Sequence, residues 1–174
     1  MDYLWTPWRY QYVTGYQDVT GNQDVTRAGA PGECVFCAAG KAPDDRQSLI
    51  VHRGVSNFVI LNRFPYTSGH VMVIPYDHVA TLEGMDDGTL TELVLLARRT
   101  EKHLRSIYQP DGLNLGINIG RAAGAGVAGH IHMHVLPRWS GDTNFMTCVG
   151  ETRVMPEDLR ATWEKLKGAF QENS

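Results

Sequence analysis

Cysteine is scarce in this chain: 174 residues hold three, Cys34, Cys37 and Cys148. An odd number with a lone C-x-x-C makes a poor disulfide framework, so a metal site or reduced thiols are expected instead. Long apolar runs are also lacking. No stretch approaches the ~18 residues that mark a membrane span. Met1-Asp2-Tyr3-Leu4-Trp5 shows no charged segment leading into an apolar one, as a secretory leader would. Together these absences predict a cytoplasmic protein with no membrane partner. Nor does charge of one sign dominate: 16 basic residues face 19 acidic ones, a formal net charge of −3. That balance argues against a module that coats nucleic acid or anionic lipid. It leaves room for a small phosphate ligand held by backbone N–H groups and neutral imidazoles.

What is present is ordinary for a folded chain, with 43% hydrophobic and 20% charged residues. Residues 1–33 read as an aromatic N-terminal segment and loop. Trp5, Pro7, Trp8, Arg9, Tyr10 and Tyr12 predict docking on the chain's own domain or on a partner subunit. Gln17-Asp18-Val19-Thr20 then recurs as Gln23-Asp24-Val25-Thr26, a single duplication too short for a solenoid. Residues 34–174 read as one domain. Leu49–Arg53, Asn57–Leu61 and Val71–Ile74 are β-branched runs that predict strands, the first two as a hairpin. Leu90, Leu93, Val94, Ala97, Leu104, Ile107 and Tyr108 share a helical face. Thr89 with Glu92 has capping-box spacing, and Pro110-Asp111-Gly112 stops the run. Leu113–Ile119 and Ile131–Leu136 predict two more strands around a glycine-rich loop. A last helix is expected from Pro156, with Leu159, Trp163, Leu166 and Phe170 as its stripe. The result is an α+β layout: a mostly antiparallel five-stranded sheet with one central and one C-terminal helix.

The chemistry concentrates at His130-Ile131-His132-Met133-His134-Val135. On a strand, residues two apart share a face, so three imidazoles line one side while Ile131, Met133 and Val135 enter the core. The preceding loop, 120–129, carries four glycines and is suited to bringing backbone N–H groups against an oxyanion. A phosphate-handling site is the favoured reading, ahead of a three-histidine metal site or a polar strand face.

His130-Ile131-His132-Met133-His134-Val135-Leu136 resembles the H-φ-H-φ-H-φ-φ signature of the histidine triad (HIT) superfamily of nucleotidyl hydrolases and transferases. The segment Asn62 to Pro75 resembles that family's N-x-x-P-x-x-x-G-H-x-x-φ-x-P stretch, and the likeness runs from about residue 34 to 147. Trp5-x-Pro7-Trp8-Arg9, Cys34-x-Phe36-Cys37 and the stretch Pro137 to Phe145 are similar to bacterial HIT-type diadenosine tetraphosphate phosphorylases.

The resemblance implies a HIT-like fold and an enzyme that cleaves dinucleoside polyphosphates by phosphorolysis through a nucleotidyl-histidine. Alternatives are a HIT-type hydrolase of dinucleoside polyphosphates or nucleoside phosphoramidates, or a non-catalytic nucleotide binder. It implies His132 as nucleophile, His134 as a donor to the α-phosphate and His70 closing the pocket. Asn62 would bind ribose, and Ile60 and Met72 would sandwich the purine. Asn118, Gly126, Trp139 and Asn144 would make further nucleotide contacts. Members often carry Gln, Ser or Thr three to four residues before the first histidine; here those positions are Gly126 and Val127. Cys34, Cys37, His78 and His130 match a Cys2His2 site, implying a structural zinc and no organic cofactor. His52 and His103 read as satisfied core histidines. The implied partners are an adenine dinucleotide, AMP, ADP or ATP, inorganic phosphate, and a second copy of the chain through a helix and an edge strand, with a tetramer contact from the aromatic segment. No nucleic acid partner is expected.

Overall fold

The computed structural model describes residues 33–144, 147 and 157–172. The aromatic N-terminal segment, the duplicated QDVT, Cys148 and Pro156 lie outside the described residues. Five strands, β1 (Ile50–Arg53), β2 (Asn57–Leu61), β3 (Val71–Pro75), β4 (Gly112–Ile117) and β5 (Met133–Arg138), form one sheet in the order β1-β2-β3-β5-β4. Every neighbouring pair is antiparallel. The expected α+β layout is present.

Strand alternation divides the core in two. Val59, Leu61, Val71, Val73 and Val135 point to one face, where α3 (Asp87–Tyr108) and α4 (Leu159–Glu172) cover them with Leu93, Leu104, Leu166 and Phe170. Phe58, Ile60, Met72 and Ile74 point to the other face, where, among the described residues, the one helix that packs on them is the short α1 (Val35–Lys41), through Phe36 and Ala39. Each fully buried side chain of this size contributes about 1.5–3 kcal/mol. The thick side carries the fold; the thin side leaves room for a site.

Several boundaries differ from the sequence reading. α3 begins three residues before the expected capping box, with the Asp86 carboxylate accepting from the Thr89 N–H at 2.9 Å. Glu92 is not part of a cap. Its carboxylate accepts from the Val55 and Ser56 N–H groups, at 2.7 Å each, and from the Asn57 amide at 2.9 Å, so it ties the β1–β2 turn to α3. α4 starts at Leu159, because Asp158 accepts from the N–H groups of Arg160 and Ala161. β5 starts at Met133, since the Ile131 N–H leaves the ladder and donates to the Val79 carbonyl at 2.7 Å. Two short helices were not anticipated: α1, and α2 (Asp45–Ser48), which is capped by Asp44. Among the described residues no helix is long and apolar enough to cross a membrane.

Candidate active site and metal centre

Strand register builds the site. Ile60 lies opposite Met72, Met72 opposite His134, and His134 opposite Gly116, forming one row across four strands. Partners in such a row share a face. His70 precedes β3 and His132 precedes β5, and both rings come to the same place. Ring centroids are 4.9 Å apart for His132 and His134, and 5.1 Å for His70 and His134. The three histidines expected at a phosphate are therefore brought together. Ile60 and Met72 lie beside them, each only 6% exposed.

Hydrogen-bond partners fix the imidazole tautomers. His132 Nδ1 is 2.8 Å from the His130 carbonyl, which can only accept, so Nδ1 carries the proton and Nε2 keeps its lone pair. His70 Nδ1 accepts from the Tyr66 N–H at 3.1 Å, so the His70 proton sits on Nε2 and is donated to His134 Nδ1 at 2.9 Å. His134 then carries its own proton on Nε2. The two nitrogens not spent inside the triad are thus a lone pair on His132 and an N–H on His134. Burial pushes the His132 pKa down; burial and the neighbouring His132 hold His134 down at about 4. Both rings are neutral near pH 7.

The remaining expected contacts are placed less uniformly. Asn62 is held locally: its Oδ1 accepts from the Phe64 N–H at 2.9 Å and its Nδ2 is 3.4 Å from His70 Nδ1. Asn118 leaves β4 toward the glycine loop and sits beside Gly124. That loop turns at Gly120 and Gly124, both at positive φ. The Ala123, Gly124 and Ala125 N–H groups bond back to the Gly120 and Arg121 carbonyls, so these three leave the expected amide cradle. Trp139 and Asn144 are not brought to the triad. They line a cavity of about 620 Å³ with Thr67, Tyr108 and Arg138. Tyr66 joins this cavity to the site, its ring 4.7 Å from His70 and 6.1 Å from His134 between centroids. Neither Tyr66 nor Phe36, whose ring is 5.0 Å from that of His132, was singled out in the sequence. Position within P-Y-T-S-G-H and C-x-F-C was the available signal. His103 also departs from expectation: its Nε2 is buried without a hydrogen-bond partner among the described residues.

Behind the triad, Cys34, Cys37, His78 and His130 bring one ligand atom each within 4.8 Å of one another. Cys34 and Cys37 Sγ lie 3.4 and 3.6 Å from His130 Nδ1, and Cys37 Sγ lies 3.3 Å from His78 Nδ1. A tetrahedral ion with bonds of about 2.3 Å to sulfur and about 2.0–2.1 Å to nitrogen has S···N edges of roughly 3.5 Å, so the spacing fits. His130 Nε2 donates to the Pro75 carbonyl at 2.9 Å, which leaves Nδ1 unprotonated for a metal. These four residues, as expected from the sequence, could hold a metal ion.

Comparison with known proteins agrees with this geometry. Residues 45–141 match the HIT domain family model, a span that leaves the two cysteines outside it. The chain is 36% identical to an AP-4-A phosphorylase of Mycobacterium tuberculosis over 159 residues, covering 91% of this chain and 79% of that one. Among solved structures it resembles a Zn-bound histidine triad family protein from Mycobacterium smegmatis, with 32% identity and TM-score 0.64, over 81% of this chain and 95% of that one. A hypothetical histidine triad nucleotide-binding protein from Sulfolobus tokodaii is similar at 26% identity and TM-score 0.63, over 80% of this chain and 93% of that one. With its three histidines brought together and these relatives beside it, the chain belongs to the HIT family and has the features of a nucleotide-processing enzyme.

Proposed function

We propose that this protein cleaves diadenosine tetraphosphate by phosphorolysis through a nucleotidyl-histidine on His132. The observation that carries the reading is the unprotonated Nε2 of His132 beside the Nε2–H of His134. His132 Nε2 attacks the α-phosphorus, an N–P bond forms, and the P–O bond to the bridging oxygen breaks, releasing ATP. An oxygen of inorganic phosphate then attacks the same phosphorus and displaces the imidazole, releasing ADP. Two displacements at an activated nucleophile replace one difficult step. His134 donates to the non-bridging oxygens as charge shifts onto them. Ile60 and Met72 flank the base, Asn62 takes the ribose, and Asn118 with the Gly126 N–H meets the phosphate chain. Trp139 and Asn144 serve the departing nucleotide from the adjoining cavity.

The leaving group follows from the same neutrality. A polyphosphate departs as a stable anion and needs no proton, whereas an amine must be protonated as it leaves. His134, held at about 4, is a hydrogen-bond donor and carries no spare proton at neutral pH. Gly126 and Val127 offer no side-chain acid either. Both features support a dinucleoside polyphosphate over a phosphoramidate.

Zinc is the metal we assign to Cys34, Cys37, His78 and His130; four N/S ligands close the coordination sphere and make it structural. A homodimer is proposed through α3 and the edge strand β4. Val94 and Leu115 there are about half exposed and line a groove of about 480 Å³. The reaction is tested by incubating the protein with diadenosine tetraphosphate with and without inorganic phosphate. ADP that appears only with phosphate supports the proposal; AMP released regardless of phosphate overturns phosphorolysis.

A further inference from the structure

α1 is too short to stand alone. Seven residues fall well below the length at which an isolated helix holds in water, about 12–15 residues. Its N-cap position, Cys34, makes no side-chain capping bond. Packing holds its inner side, through Phe36 and Ala39. Arg53 holds its C-terminal end, donating from Nη1 to the Gly40 carbonyl at 2.6 Å and from Nη2 to the Ala42 carbonyl at 2.8 Å. The N-terminal end is held by the two cysteines, and these flank Phe36.

Phe36 in turn touches both ends of one short path. Its ring lies 5.5 Å from that of His130, edge-on at 88°, and 5.0 Å from that of His132, tilted by 58°. His130 faces the cysteines through Nδ1, holds the Pro75 carbonyl through Nε2, and accepts the His132 Nδ1–H on its own carbonyl. That last bond fixes one point of the His132 ring but leaves it free to rock about the N–H···O axis. Phe36 and His134 both pack against the ring, with centroids 5.0 and 4.9 Å away, and restrict that rocking, so Nε2 keeps its aim.

We propose that Phe36 is a positioning residue for the His132 imidazole, and that the Cys34–Cys37–His78–His130 centre serves the reaction by fixing the helix that carries Phe36. The metal centre is then a clamp on nucleophile geometry as well as on the fold. The proposal rests on the reading of His132 as nucleophile. Its rival is a Phe36 that only walls the base site, since Phe36 shares a cluster with Ile60 and Met72.

Phe36→Leu and Phe36→Tyr separate the two. With zinc content first confirmed as wild type, Phe36→Leu is expected to slow nucleotidylation of His132 about 30-fold in rapid-quench mixing, because a small misaim of a reacting group costs one to two decades. AMP affinity should stay within about threefold, since binding common to ground and transition states is not what is lost. Phe36→Tyr, which keeps the ring, should recover most of the rate. An unchanged rate in Phe36→Leu overturns the proposal, as does an affinity that falls in step with the rate. A second measurement needs neither variant nor turnover. Chelating the metal from wild-type protein should speed hydrogen exchange of amides 35–41 and of the His132 Nδ1–H about tenfold, while β2 and β3 stay protected, as expected of a local opening. If those protons exchange unchanged, the clamp is disproved even where Phe36→Leu fails to fold. If wild-type protein never nucleotidylates His132, the functional reading falls, and the exchange measurement still decides the clamp.

Discussion

His70 Nε2 lies 2.9 Å from His134 Nδ1, and the direction of that hydrogen bond is set from outside the pair. The Tyr66 N–H occupies His70 Nδ1, so His70 must donate and His134 must present its own N–H outward. A backbone amide in the turn before β3 thereby decides which tautomer meets the substrate. His70→Phe fills similar volume but removes the relay. First-step turnover should fall about 10²-fold, the scale of one lost transition-state donor. AMP affinity, measured by calorimetry, should change far less. Wild-type turnover in that variant would remove His70 from the mechanism.

Glu92 is the tie between the site's sheet and α3. Burial works against its ionisation, but the donors from Asn57, Val55 and Ser56 outweigh it and hold its carboxyl below the usual range. Glu92→Ala removes the acceptor of the Val55 and Ser56 N–H groups and one of the two acceptors of the Asn57 amide, which keeps the Thr89 carbonyl, and should cost about 1–3 kcal/mol in urea unfolding. Glu92→Gln, which restores one acceptor, should fall between.

His52 and His103, outside the site, add to the pH dependence of stability that the lowered pKa values of His132 and His134 already bring. His52 stacks on Phe170 with centroids 4.8 Å apart, and His103 packs on the same ring at 4.5 Å. Burial, then the nearby Arg99, pushes both pKa values below the ordinary 6.5. The unfolded chain therefore binds protons at these sites before the folded chain does. Their stabilisation is complete above about pH 6.5 and is lost as the pH falls from there through the lowered folded values. Urea midpoints at pH 7.5 and 5.5 should show the drop. His103→Leu should shrink it, because it removes one of the titrating groups, and it loses no hydrogen bond at Nε2, which has no partner among the described residues.

The proposed dimer face is testable with one charge. Leu115 is 47% exposed on β4, the edge strand of the sheet among the described residues. Leu115→Lys places an ammonium where the second copy would sit, a device that blunts edge pairing. Sedimentation should show a monomer for the variant and a dimer for the wild type. A dimer in both would relocate the interface.

The sheet and the His132–His134 pair were legible because both rest on the period of two. Spacing of two puts His132 beside His134 at the start of β5, whereas His130, outside the strand, turns to the cysteines, and His70 arrives from the turn before β3. What was not legible depends on contacts distant in sequence. The pattern Thr89-x-x-Glu92 satisfies a capping box, yet Glu92 is drawn to the turn at Val55 and Ser56, and Asp86 caps instead. β5 starts two residues late because Val79, far away in the chain, takes the Ile131 N–H. α1 carries too few residues to show a helical period, so Phe36 gave no sign of reaching His132. The four metal-site residues were found only through family resemblance, since Cys37 and His78 are 41 positions apart.

The central claim is a covalent bond between His132 and a nucleotide. Intact-mass spectrometry after rapid mixing with diadenosine tetraphosphate, without inorganic phosphate, tests it most directly. One added AMP is expected on the peptide containing His132, absent in His132→Asn and discharged as ADP when phosphate is added. Full turnover with no adduct on His132, or an adduct that forms equally in His132→Asn, would contradict it.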